Sequence, residues 1–87
     1  MKLLGLPKLA SVKGESDLID KWVSSWVSEM KHANWKTPAN LIDNFPAVTV
    51  TEDESYLFSV LETGIVIELQ IAFAQGIAII TELTKKS

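Results

Sequence analysis

With 87 residues, a net charge of −3 and no cysteine, the chain is sized for one domain, spanning 1–87, and excludes a disulfide framework or a thiolate metal site. All eight basic residues are lysines. None lies between Lys36 and Lys85, where Asp43, Glu52, Asp53, Glu54, Glu62, Glu68 and Glu82 all fall, and that sign argues against a nucleic-acid surface, which needs Lys and Arg to meet phosphates.

Residues 2–6 are apolar and short, which suits an edge strand ended by Pro7. Pro7 and Lys8 interrupt any signal-like apolar run, so the cytoplasm is the expected compartment. Residues 8–15 read as a loop closing at Gly14, and Ser16-Asp17 supplies a helix start with acid in the first turn. The helical period then places Leu18, Trp22, Trp26 and Met30 in one row and Ile19, Val23 and Val27 in the next. Asn34 is expected to end this helix in the left-handed conformation. Thr37-Pro38 opens a second, short helix, because Phe45 precedes Pro46 and is pushed toward extended backbone.

Strands are expected at 47–51 and 56–61, separated by the polar turn Glu52-Asp53-Glu54-Ser55 and followed by the turn Glu62-Thr63-Gly64. From Gly64 to Leu83 the pattern has period two. Ile65, Ile67, Leu69, Ile71 and Phe73 alternate with Val66, Glu68, Gln70 and Ala72. After Ala74-Gln75-Gly76, residues Ile77, Ile79, Thr81 and Leu83 alternate with Ala78, Ile80 and Glu82, as in a hairpin. A membrane helix would be short and would set Glu68, Gln70 and Gln75 in hydrocarbon, so no membrane contact is expected. The expected fold class is α+β: one or two N-terminal helices on a four-stranded antiparallel meander, with room for the short N-terminal edge strand.

Trp26, followed after eight residues by Trp35-Lys36-Thr37-Pro38-Ala39-Asn40-Leu41, resembles the HigB-type branch of the RelE superfamily of toxin–antitoxin toxins. Phe45-Pro46-Ala47, Phe58-Ser59-Val60, Ile71-Ala72-Phe73 and Gly76-Ile77-Ala78-Ile79-Ile80 resemble later segments of that family in the same order, from about Ser16 to Ile80. The resemblance implies a RelE/HigB-like layout and a ribosome-dependent mRNA endonuclease held in check by an antitoxin. Such an enzyme needs cations on the phosphate and an acid or base near the 2′-hydroxyl. Val66 stands where the family has an arginine, and Thr84-Lys85-Lys86-Ser87 replaces its histidine-bearing tail. The chemistry implied by the resemblance is therefore missing its residues.

Catalytic residues are accordingly none. An active form would have to draw on His32, Lys36 and Lys86, with Lys31 and Lys85 nearby in sequence, but cations at the end of a helix are more simply explained by its dipole. Glu52-Asp53-Glu54 reads as a solvated turn rather than a cation site, and no cofactor motif appears. Trp22, Trp26 and Trp35 are expected in the core rather than stacked on bases. What remains is a surface: Val66, Glu68, Gln70, Ala72, Ile80 and Glu82 are the expected partner-binding face, an acidic rim around an apolar centre, with Tyr56 or Leu57 joining according to register. The preferred reading is a non-catalytic interaction protein that binds a basic protein partner, as a decoy, antagonist or inhibitor in a toxin–antitoxin or phage–host setting. The alternatives are an active mRNA-cleaving toxin and a small domain that pairs with itself as a homodimer.

Overall fold

Ser16 opens the longest helix, α1 (Asp17–His32), by accepting a 3.1 Å hydrogen bond from the Ile19 amide through its hydroxyl, with Asp17 and Asp20 in the first turn. Thr37 caps α2 (Pro38–Asn44) in the same way through the Asn40 amide, and Pro38 occupies the first turn, where its missing N–H costs nothing. The computed structural model describes residues 1–61 and 63–85. Among them the order is β1 (Lys2–Leu4), a 3-10 segment (Leu6–Val12), α1, α2, β2 (Thr49–Val50), β3 (Ser55–Val60), β4 (Ile65–Ala72) and β5 (Ile77–Lys85).

The fold is α+β, as expected, but the sheet is mixed. Its strand order is β1-β5-β4-β3-β2: β2 to β5 pair antiparallel in turn, and β1 lies parallel to β5, with Lys2 opposite Ile77 and Leu4 opposite Ile79. Running parallel requires a long crossover to the rest of the sheet, and the 3-10 segment with α1 and α2 supplies it. The 3-10 segment occupies a stretch read from sequence as a loop; burial of Leu9 and Val12 gives it a packed side.

One face of the sheet carries Leu3, Tyr56, Phe58, Val60, Ile65, Ile67, Leu69, Ala78 and Ile80, all buried. Ile19, Trp26 and Met30 of α1, Leu41 of α2, and Trp35 between the helices close over it. Four aromatic contacts bind these pieces into one chain of rings. Trp22 stacks on Trp26 at 6.3 Å, Trp26 meets Phe58 edge-on at 5.4 Å, Phe58 meets Phe45 at 5.2 Å and Phe45 meets Trp35 at 5.8 Å. Each such pair contributes roughly 0.5–1.5 kcal/mol beyond area burial.

Several sequence expectations are corrected. Leu18 is 70% exposed and lies off the apolar stripe, because the buried row of α1 runs through Ile19, Trp26 and Met30. Asn34 is not left-handed: α1 ends at His32 with an extended Ala33, and the N-terminal ammonium donates to the Lys31 and Ala33 carbonyls there. The first strand of the meander is only Thr49–Val50, since Val48 is held in a turn by its amide bond to the Phe45 carbonyl. Glu62, in the turn expected before Gly64, lies outside the described residues, as do Lys86 and Ser87.

Gly5 makes the turn from β1 into the 3-10 segment with φ +83°, and a Cβ there would sit 2.6 Å from the Ile80 carbonyl oxygen. Strained conformation and backbone collision act together, so Gly5→Ala should lower stability by about 1 kcal/mol or more, seen as a lower urea midpoint at unchanged slope. Trp26→Ala, which removes a side chain only 2% exposed, should cost about 3–5 kcal/mol by the same measurement.

Candidate functional site: the outer face of the sheet

Helices and the 3-10 segment cover one side of the sheet; the other side is built from the alternate residues of each strand. Cross-strand register sets these into rows. Lys2, Ile77 and Ala72 form one row, and Leu4, Ile79, Gln70 and Ser55 form the next. Glu82, Glu68, Leu57 and Thr49 follow, then Thr84, Val66 and Ser59. Same-face residues in successive rows are about 7 Å apart along a strand. The face thus has a basic corner at Lys2, an apolar middle with Leu4 at 38% and Ile79 at 43% exposure, and an acidic row.

Glu68 and Glu82 are direct cross-strand partners. Two like charges placed opposite each other in a sheet are unfavourable by roughly 0.2–1 kcal/mol. The ladder is irregular at this point, between Glu68 and Leu69: Thr81 and Glu82 together oppose Glu68, which is a β-bulge. The Thr81 hydroxyl fills the gap, reaching the Glu68 carbonyl at 3.3 Å and a Glu68 carboxylate oxygen at 3.2 Å. Gln70 is tied back into the sheet, its side-chain amide donating to the Ser55 hydroxyl.

The bulge decides which expected residues share this face. Val66, Glu68, Gln70, Ala72 and Glu82 are brought together on it. Ile80 is not. It pairs with Leu69 and is fully buried among the core residues. Strict alternation counted back from Glu82 puts Ile80 outside; the extra residue at Thr81 breaks the count, so Ile80 and Leu83 both turn inward. Ile79, Ile77 and Leu4 take the outer positions that sequence reasoning missed. The Ile79-Ile80 pair was the available signal, since two adjacent branched residues leave strand parity undecided. Leu57 joins the face opposite Glu68, while Tyr56 turns into the core.

Of the residues an active form would need, His32 and Lys36 both sit at exposed helix ends. His32 is exposed at the end of α1, with its Nδ1 2.8 Å from the Ser28 carbonyl of its own helix, so that nitrogen serves the helix end. Lys36 lies in the exposed linker to α2, its backbone amide donating to the Asn40 side chain, and Lys86 lies outside the described residues. Lys85 pairs with Glu15 at the surface, a contact worth little between exposed partners. Among the described residues no three His, Asp or Glu side chains are grouped to share a metal ion, and no helix is long and apolar enough to cross a membrane. No protein-family model and no curated protein matches this chain.

The Tyr56 phenol is held above its ordinary value. Burial, and after it the Glu54 carboxylate, raise it. A raised phenol pKa means the folded chain keeps a proton that the unfolded chain releases, so the associated stability is full below about pH 10 and is lost as pH rises through the folded value. Tyrosinate absorbance should titrate above the free phenol in the native protein, and Tyr56→Phe should flatten the alkaline fall in melting temperature.

Proposed function

We propose that this chain is a non-catalytic interaction domain that binds a basic protein partner on the outer face of its sheet, acting in the cytoplasm. The observation that carries the reading is the Glu68–Glu82 pair set beside the exposed Leu4 and Ile79. Like charges in register cost the fold stability and gain from a cation laid across them, and an apolar centre with a charged row is the composition of a binding face. The scaffold is read as HigB/RelE-like, with two helices ahead of strands β2 to β5 and Val66 at the family's arginine position on the same face. A domain of that kind without the cationic residues suits a decoy, antagonist or inhibitor in a toxin–antitoxin or phage–host conflict.

A second reading rests on the row order. Lys2 lies two rows from Glu82, with Leu4 and Ile79 between them. A two-fold axis through that middle row would set Lys2 of one copy against Glu82 of another, the self-complementary arrangement that a dimer requires. Sedimentation over a wide concentration range separates the two, because the dimer reading needs mass to rise with concentration.

The main reading is tested with a lysine-rich peptide and with translating ribosomes. Peptide binding on the outer face should weaken as salt rises and be lost in Glu68→Lys with no loss of stability, while mRNA on ribosomes should stay intact. Cleavage of that mRNA, or peptide affinity untouched by Glu68→Lys, would overturn it. Glu82→Lys should likewise lose the peptide, yet raise stability by about 0.2–1 kcal/mol by replacing a repulsive cross-strand pair with an attractive one.

A further inference from the structure

At the open edge of β3, α1, the chain after α2 and the uncovered end of that strand enclose an open cleft of about 430 Å³, within the range of ligand sites. Trp22 and Trp26 of α1, Phe45, Val48 and Phe58 give it apolar walls, and Glu29 stands on the rim. Trp22, Trp26 and Glu29 fall at the i, i+4 and i+7 positions of one helix face, so the rim carboxylate stands a turn beyond the rings.

Three features specify what this cleft lacks. The first is an acceptor: the Trp26 indole N–H is buried and has no hydrogen-bond partner, a cost of about 1–3 kcal/mol for a group cut off from water. The second is a strand. β2 covers β3 only at Tyr56 and Leu57. Ser55 directs both its amide and its carbonyl toward Thr51 on that side. By strand alternation the backbone groups of Ser59, which lines the cleft, point the same way. Among the described residues no backbone hydrogen bond meets them there. The third is a cation: Glu29 has no ion pair among the described residues.

We propose that the cleft takes an extended peptide segment carrying an apolar side chain next to a lysine or arginine. The segment adds to the open edge of β3, its backbone meeting Ser59 and supplying the carbonyl that Trp26 lacks. Its apolar side chain packs against Trp22 and Phe45, and its basic side chain reaches Glu29. Edge addition gives affinity through the main chain and specificity through the side-chain pockets, and an Arg or Lys passing over the indole of Trp22 adds a cation–π contact.

The test is a titration of the whole chain with an end-blocked peptide alternating valine and lysine, followed by amide and indole NMR shifts. The expected result is saturable movement of the Trp26 indole N–H and the Ser59 amide. Affinity should fall several-fold in Glu29→Lys and be lost in Ser59→Pro, which removes an edge donor that no strand uses, with a retained melting temperature showing that the restriction on Phe58 leaves the fold intact. In Glu68→Lys the Trp26 and Ser59 signals should titrate as before while shifts at residues 66–72 and 77–84 disappear, which separates the cleft from the outer face. Shifts confined to residues 66–72 and 77–84 would overturn the proposal and leave the outer-face reading standing. Equal affinity for a valine–glutamate peptide, or unmoved Trp26 and Ser59 signals at millimolar peptide, would overturn it as well.

Discussion

Phe58 holds this fold together. Its ring stands between Trp26 of α1 and Phe45 of the chain leaving α2, meeting both edge-on. Through them it reaches Trp22 and Trp35, so one strand residue ties both helices and the linker between them to the sheet. A chain this small buries a modest fraction of its surface and has little stability to spare. A few large rings at one junction concentrate area where three chain segments meet. That junction also sets the shape of the cleft, since Trp26, Phe45 and Phe58 are its walls.

The sheet obeys a different constraint, that of parity. Each strand must deliver one side to the helices, and β4 does so by plain alternation of Ile65, Ile67 and Leu69 against Val66, Glu68 and Gln70. β5 reaches the same end with one residue more than its partner. On its outer side β5 then presents Ile77 and Ile79 short of the bulge, and at the bulge Glu82 meets Glu68.

Much of the local structure was legible because it is written in short-range chemistry. The Ser16 and Thr37 caps, the Pro38 start, the stop at Phe45-Pro46 and the inward row of β4 all follow from a few neighbouring residues. What was not legible depends on contacts far apart in sequence. Leu18 sits at a helical spacing that suits the stripe, yet in the first turn of α1 it is left exposed. Parallel pairing of β1 with β5 joins residues separated by most of the chain, and no periodicity reports it. Of the candidate face, Val66, Glu68, Gln70, Ala72 and Glu82 were readable from alternation; Ile80 was not, because a single extra residue is invisible to a two-residue period. The cleft was hidden for a related reason, since Trp22 and Trp26 read alike as core although only Trp26 is fully enclosed.

The bulge at Thr81 also bears on how β5 tolerates a change of length. Thr81 and Glu82 share one opposing residue, so loss of either would leave a regular ladder with Ala78, Ile80 and Leu83 still turned inward. Loss of a residue elsewhere in β5 would reverse one side of the strand and turn its isoleucines or its leucine to water. The strand therefore carries its slack at one place, beside the carboxylate pair, and a one-residue deletion there would alter the surface while sparing the core.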